Sequence, residues 1–315
     1  MSIIIETKDL TKIYDKNVVV DHLNFEIKKG ELLSLLGPNG AGKSTTIKML
    51  TTILKPDEGT ALVKGYDIEK EKQKIREIIG ITPQELIFYP DLSARENLIF
   101  FGQMHDFPKQ QLRVAAENIL EKLGLAERKD KSKNFSGGMK RRLNLAINMI
   151  MDPEILFLDE PTAGLDPQAR HVVWDYIEAV KKQGKTIILT THDMHEADLL
   201  SDRVIIIDNG KIIAEGTPEE LKEKYSERNI MEVKFKDDAK IAELKEKLKG
   251  LDFVKDILVS INKEVSIHFD GGILNFTKIL NQDIITDVAE VESMGLRQNT
   301  LEDVFLKLTG RRLRD

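Results

Sequence analysis

"GPNGAGKST", Gly37 to Thr45, follows the apolar run "LLSLL" (32–36) and opens a helical pattern through Ile47, Leu50 and Leu54. Its spacing is G-x-x-x-x-G-K-[ST], a phosphate-binding loop, in the strand-loop-helix setting that such a loop requires. The glycines let successive backbone N–H groups point inward, the helix N-terminus adds positive potential, and Lys43 brings a full charge to β- and γ-phosphates. Ser44 offers a hydroxyl to Mg²⁺. Four fixed positions of this kind coincide by chance in about one chain in a hundred of this length, and the placement between strand and helix makes coincidence rarer. Nucleotide binding is the expectation.

Outward from this loop, "ILFLDE" (155–160), "TIILTTH" (186–192) and "RVIIIDNGKIIAEG" (203–216) read as further buried strands. Continuous apolar strands separated by helical patterns indicate a mainly parallel sheet covered on both faces. The run "ILFLDE" ends in two carboxylates. Beside a phosphate loop, such a strand delivers Asp159 to the metal, through water, and lets Glu160 project toward an attacking water; elsewhere an acidic pair at a strand end is a solvated edge or a helix cap. From about 90 to 151 the pattern turns helical, with Leu112, Ala115, Ala116, Ile119 and Leu123 on one face. A helical subdomain inserted in the sheet domain is expected there.

The chain has 315 residues, 41% of them hydrophobic and 32% charged, which suits two unequal domains. A formal net charge of -6 argues against a general polyanion binder, and no nucleic-acid partner is expected. With no cysteine, disulfides, thiol catalysis and Cys-ligated zinc are excluded. No apolar run approaches the roughly 18–20 residues that cross a bilayer, so a cytoplasmic protein is expected, reaching a membrane only through a partner. The first domain is placed at 1–222, a linker at 223–230 and an accessory domain at 231–315. The latter reads strand 231–236, helix 239–249, strands 254–261 and 264–269, helix 273–281 and strand 285–292. That β-α-β-β-α-β order fits a small ferredoxin-like α/β domain, followed by a helix at "TLEDVFLKLTG" with Leu301, Val304, Phe305 and Leu308 on one stripe.

Between the phosphate loop and the acidic strand lies "NFSGGMKRRL", Asn134 to Leu143, and "AGLDP" and "TTHDMHEA" follow that strand. With these motifs in this order, residues from about Ile3 to Gly216 resemble ATP-binding-cassette (ABC) ATPases. The resemblance implies a P-loop NTPase cassette: a mainly parallel sheet core with an antiparallel β part and an inserted helical subdomain. It also implies a head-to-tail homodimer in which Ser136, Gly137 and Gly138 of one copy cap the γ-phosphate held by the other. Residue by residue, it assigns ATP binding to Tyr14, which stacks on adenine, and to Gly37, Asn39, Gly40, Gly42, Lys43, Ser44 and Thr45. Mg²⁺ falls to Ser44, Asp159 and Gln84. Catalysis falls to Glu160, His192 and Gln84, and communication across the dimer to Asp166. The chemistry of the signature agrees, because Ser136 is a small donor and a helix N-terminus favours an anion. Lys140, Arg141 and Arg142 in the first turn oppose that dipole, a cost that an acidic partner surface or a nucleotide is expected to offset.

Met139 stands where the family signature commonly has glutamine, Phe135 where it has leucine, and "AGLD" where "SALD" is frequent. The ending "TLEDVFLKLTGRRLRD" and "SGGMKRRL" together look like the daunorubicin-resistance type of exporter ATPase. This implies ATP-driven export of a drug, antibiotic or lipid by a separate integral membrane permease, with the chain peripherally attached to the cytoplasmic membrane. The segment "LIFYPDLSARENLIFF" is a candidate groove for a permease helix, although Phe88, Leu98 and Phe101 read equally well as subdomain core.

Other readings fit less of the chain. A soluble cassette without a permease, in translation or DNA maintenance, usually carries tandem cassettes, coiled coils or zinc modules, and none is visible. A GTPase needs N-K-x-D, whereas the single Asn262-Lys263 pair continues "EV". A metal pair of His192 and His195 on one helical turn lacks a third ligand.

Overall fold

The computed structural model describes residues 2–104, 108–225, 229–236, 241–259, 264–270, 272–281, 285, 290–297 and 299–310. Parts of the expected linker, the ends of several expected C-terminal elements, Asn262-Lys263 and the basic end 311–315 lie outside the described residues. The chain divides into two compact units, one up to Pro218 and the other from Glu219 onward.

In the first unit a six-stranded sheet has the order Lys211–Gly216, Arg203–Asp208, Leu32–Leu36, Thr186–Thr191, Ile155–Asp159, Ile79–Thr82. All neighbours are parallel except the hairpin of Arg203–Asp208 with Lys211–Gly216. The apolar runs explain the arrangement. Alternate side chains of a strand face opposite ways, and here both ways are dry. Leu156, Leu158, Ile187 and Leu189 pack toward one core, which also takes residues of the helices Ala94–Gln103, Lys109–Lys122, Gly137–Met149 and Pro167–Lys182. Ile155, Phe157, Ile188, Leu33 and Leu35 pack toward the other, with Ile47 and Leu50 of the helix Lys43–Leu50 and the apolar residues of a second sheet. Phe157 is fully buried, and its truncation to alanine costs about 3–5 kcal/mol.

That second sheet is the antiparallel part: Ile3–Tyr14 pairs with Asn17–Leu23, Glu26–Lys28 and Glu58–Val63. Three helices, Ala94–Gln103, Lys109–Lys122 and Gly137–Met149, occupy the segment where the helical pattern was expected. The first begins at a capping box, Ser93 with Glu96, which satisfies two helix-end donors reciprocally.

The second unit holds four antiparallel strands in the order Val254–Val259, Glu264–Phe269, Asn229–Phe235, Val291–Arg297. The helix Ile241–Lys249 follows the strand Asn229–Phe235 in the chain, and the helix Gly272–Asn281 follows Glu264–Phe269. Met231, Val233, Val265, Ile267, Leu244, Leu248 and Ile279 form its core, the ferredoxin-like arrangement expected. The last described strand, Val291–Arg297, runs beyond the expected 285–292, of which 286–289 lie outside the described residues; at the sheet edge its residues are mostly exposed, so burial imposes no apolar pattern that marks its end. The helix Leu301–Thr309 starts at a capping box of Thr300 and Asp303 and buries Leu301, Val304 and Phe305; Leu308 is only half-buried. No helix among the described residues is long and apolar enough to cross a membrane.

Candidate functional site

The phosphate loop joins the end of the strand Leu32–Leu36 to the helix Lys43–Leu50. Two of its glycines are required by close approach. A Cβ on Gly37 would lie 2.2 Å from the carbonyl oxygen of Ile207, and one on Gly42, at φ +101°, would lie 2.6 Å from that of Val19. Asn39 and Gly40 are exposed at the tip, and Ser44 and Thr45 are half-buried in the first turn. Lys43 is 4% exposed and folds back on the loop, its Nζ donating to the carbonyls of Gly37 at 2.8 Å and Pro38 at 3.0 Å. Burial holds this ammonium below its ordinary pKa, while Glu160 and Asp159 pull the other way.

The strand Ile155–Asp159 lies in the same sheet with Thr186–Thr191 between it and Leu32–Leu36, and it brings both carboxylates to this loop. Asp159 Oδ1 accepts from Ser44 Oγ at 2.9 Å and from Thr190 Oγ1. At Glu160 the backbone turns sharply at φ +49°, a conformation costing a non-glycine residue roughly 1–3 kcal/mol. Its N–H donates to the carbonyl oxygen of Thr190 at 3.1 Å, which helps to hold the turn. The Glu160 carboxylate then meets three expected neighbours: Lys43 Nζ at 3.7 Å, His192 Nδ1 at 3.1 Å and Gln84 Nε2 at 3.5 Å. His192 and Gln84 come from the ends of two other strands of the sheet, and both are exposed. Among the described residues no group of three or more His, Asp or Glu has metal-holding geometry, so His192 and His195 gain no third ligand of those types.

Tyr14 is 43% exposed at the end of Ile3–Tyr14, with Lys12 Nζ 5.5 Å from its ring centre. Ser136 and Gly137 are exposed, and Ser136 caps its own helix, accepting from the N–H of Met139 at 3.3 Å. Asp166 also caps a helix, accepting from Ala169 N–H at 2.9 Å, with Pro167 in the first turn. Ser136, Gly137 and Asp166 are thus placed at exposed helix starts, and Tyr14 at an exposed strand end.

The expected cost of three cations in the first turn is corrected by the structure. Arg141 is 6% exposed and turns inward, donating to the carbonyl oxygens of Gln84, Pro161 and Glu160. Arg142 donates to the carbonyl of Leu123 at 2.7 Å. Carbonyls of the same chain therefore take up the Arg141 guanidinium and one end of the Arg142 guanidinium, whose buried Nε has no hydrogen-bond partner among the described residues. Asn144, three residues on, completes the clamp: its Oδ1 accepts from Ile87 N–H at 2.9 Å, and its Nδ2 donates to the carbonyls of Pro83 at 3.2 Å and Glu85 at 3.3 Å. The helix beginning at Ser136 thus grips the Gln84 loop and the turn after Asp159. From the sequence Arg141 stands out only as one of three first-turn cations, and Asn144 is not singled out; the available signal is a polar stripe, Arg141, Asn144 and Asn148, along one face of the helix.

The apolar segment after Gln84 sorts into two sets. Leu98 is fully buried, and Phe88 and Phe101 pack against the core, so those three are subdomain core. Leu86, Ile87, Tyr89, Phe100 and Met104 are between 38% and 67% exposed.

This arrangement has known counterparts. The ABC transporter family matches residues 20–163. The chain is 38% identical to the linearmycin resistance ATP-binding protein LnrL of Bacillus subtilis, over 99% of this chain and 100% of that protein. It is also 38% identical to the daunorubicin/doxorubicin resistance ATP-binding protein DrrA of Streptomyces peucetius, over 97% and 92%. Among solved structures, CbiO1 of Clostridium perfringens, part of the ABC transporter complex CbiONQ, superposes with a TM-score of 0.64 at 32% identity, covering 71% of this chain and 92% of that one. A dimeric ATP-binding cassette in a post-hydrolysis state bound to ADP and Pi gives 0.62 at 27%, covering 68% and 98%. The chain belongs to the ABC transporter family, as one of its ATP-binding and ATP-hydrolysing subunits.

Proposed function

We propose that this subunit is the motor of an exporter: two copies close head to tail on Mg²⁺-ATP, hydrolysis reopens them, and the motion drives a separate membrane permease. The observation that supports this most is the convergence of Lys43, His192 and Gln84 on the Glu160 carboxylate, with Ser44 and Asp159 beside it. On nucleotide binding, Lys43 exchanges the carbonyls of Gly37 and Pro38 for β- and γ-phosphate oxygens, and Tyr14 receives the adenine. Asn39, Gly40, Gly42 and Thr45 complete the phosphate cradle. Ser44 and Asp159, 2.9 Å apart, with Gln84 form the hard-oxygen donor set that Mg²⁺ takes. When bound, Mg²⁺ neutralises charge that develops on the phosphates. Glu160 accepts the proton of the attacking water, and His192 orients its carboxylate and reaches the γ-phosphate.

The trans contact rests on the helix start at Ser136. An added Cβ at Gly137 meets nothing within 4 Å, and Gly137 is not among the residues with positive φ. Among the described residues neither packing nor backbone calls for a glycine there, and glycine in a helix costs about 0.5–1 kcal/mol. Close approach of an anion from a second copy supplies the reason, and Asp166, exposed at its helix cap, links the two sites in this scheme. In this scheme the exposed set Leu86, Ile87, Tyr89, Phe100 and Met104, adjoining Gln84, is the surface offered to the permease, and the subunit works at the cytoplasmic face of the membrane. The resistance proteins it resembles suggest a drug, antibiotic or lipid as cargo. Residues 1–222 form the motor domain and 231–315 the accessory domain in this scheme.

The test is Glu160→Gln. It should bind a fluorescent ATP analogue as the wild type does and hydrolyse ATP about 10²–10⁴ times more slowly. Wild-type turnover would overturn the assignment of the base.

A further inference from the structure

Glu196 lies in the first turn of the helix Met194–Leu200, four residues after His192, and is 0% exposed. Its Oε1 accepts two hydrogen bonds, from Thr162 Oγ1 at 2.7 Å and from the indole Nε1 of Trp174 at 3.0 Å, while among the described residues Oε2 has no partner in hydrogen-bond geometry, the nearby Thr191 hydroxyl included. Thr162 stands two residues after Glu160, and Trp174 is on the helix that Asp166 caps. One carboxyl therefore joins the segment after Glu160, the helix after Asp166 and the helix after His192. A second strap runs alongside: Asp193 Oδ2 accepts from Arg170 at 2.8 Å, and Asp193 Oδ1 from the Glu196 N–H at 3.3 Å.

An apolar residue would fill this place without the cost of a buried carboxyl, which is several kcal/mol when ionised and unpaired. Burial pushes the Glu196 carboxyl above its usual range, Asp193 adds to the rise, and the Thr191, Thr162 and Trp174 donors oppose it. The other charged or titratable groups around it are Arg141 from the helix Gly137–Met149, Arg170 paired to Asp193, and His171 and His195, which stand edge-on to the Trp174 ring at 5.1 and 5.5 Å. None of them forms an ion pair with the carboxyl among the described contacts. A neutral acid with its proton on Oε2 leaves Oε1 free to accept both donors.

We propose that Glu196 is a positioning residue for ATP hydrolysis: its carboxyl locks Thr162 to Trp174, so that Glu160 and His192 keep their 3.1 Å contact while the Asp166 segment engages a second copy. The proposal rests on Glu160 as base and His192 as the group that orients it. Misplacement of a reacting group by about 1 Å costs up to about a hundredfold in rate.

The experiment is steady-state Mg²⁺-ATPase kinetics on the full chain. Glu196→Leu should lower kcat about ten- to a hundredfold with KM for ATP within about twofold. Glu196→Gln, whose amide oxygen can accept both bonds, should restore turnover to within about twofold of wild type. Thr162→Val removes one bond without touching the carboxyl, and should lower kcat at constant KM even where Glu196→Leu fails to fold. Wild-type kcat in a folded Glu196→Leu or in Thr162→Val overturns the proposal, as does a Glu196→Gln defect as deep as that of leucine. If instead Glu160→Gln and His192→Ala both turn over at wild-type rate, the site assignment itself fails; if those two are inactive while Glu196→Leu and Thr162→Val are not, only the positioning role fails.

Discussion

Arg141 belongs to the helix that starts at Ser136, yet its guanidinium donates to the main-chain carbonyl of Glu160. A helix expected to face another molecule's nucleotide is thereby fastened to the chain's own acidic turn, and through the Gln84 carbonyl to the loop beside the exposed apolar set. Movement at any one of these three places strains the hydrogen bonds at the other two.

Arg141→Met keeps the stem and removes the donors. It leaves the carbonyls of Gln84, Glu160 and Pro161 without this partner, each such loss costing about 1–3 kcal/mol when buried. The expected outcome is a folded protein with a clearly lower urea midpoint and depressed kcat, but with ATP affinity near wild type, since Arg141 does not touch the phosphate loop. Unchanged midpoint and kcat would show that the clamp carries no coupling.

Nucleotide binding should be visible as thermal stabilisation. At a hundredfold excess over Kd a ligand adds about 2.7 kcal/mol, which raises Tm by roughly 5–10 °C in a domain of this size. Lys43→Met should abolish the rise in scanning fluorimetry with Mg²⁺-ATP, and Ser44→Ala should lose the Mg²⁺-dependent part of it. A full shift in Lys43→Met would contradict the placement of the phosphates.

Much of this was legible in the chain, for a physical reason. The strand Leu32–Leu36, the loop and the helix Lys43–Leu50 are contiguous, so local spacing carries their geometry. Buried parallel strands are apolar on both faces, which is why Ile155–Asp159 and Thr186–Thr191 read plainly. The clamp was not legible. Lys140, Arg141 and Arg142 look alike as letters, and only the turn of the helix by about 100° per residue sends Arg141 inward to carbonyls contributed by Gln84, Glu160 and Pro161. The same holds for Glu196, whose partners Thr162 and Trp174 are 34 and 22 residues away. In the apolar segment after Gln84, composition could not separate buried Leu98 from exposed Ile87.

The raised Glu196 carboxyl also makes a statement about pH. Its folded value lies above the ordinary one, so between the two the folded state keeps a proton that the unfolded chain has released. Stability from this group is therefore present at low pH and is lost as pH rises through that window. Glu196→Gln removes the titration, and its urea stability relative to wild type should improve as pH rises above the ordinary carboxylate range. A difference that stays constant, or shrinks, would mean that the carboxyl is already ionised in the fold.

Gly137→Ala separates folding from assembly. None of the described residues lies within 4 Å of the added methyl, and alanine favours a helix over glycine by about 0.8–1 kcal/mol. The variant should melt no lower than wild type and bind ATP, yet fail to form the ATP-dependent dimer in sedimentation. Normal dimerisation would place the trans contact elsewhere.

Closure of two copies on ATP is tested most directly by the mass in solution of Glu160→Gln, by light scattering after size exclusion, with Mg²⁺-ATP and without nucleotide. The expected result is the 35.8 kDa monomer without nucleotide and twice that mass with Mg²⁺-ATP, the shift being abolished by Ser136→Arg. A monomer under both conditions with ATP still bound, or a dimer indifferent to Ser136→Arg, would contradict it.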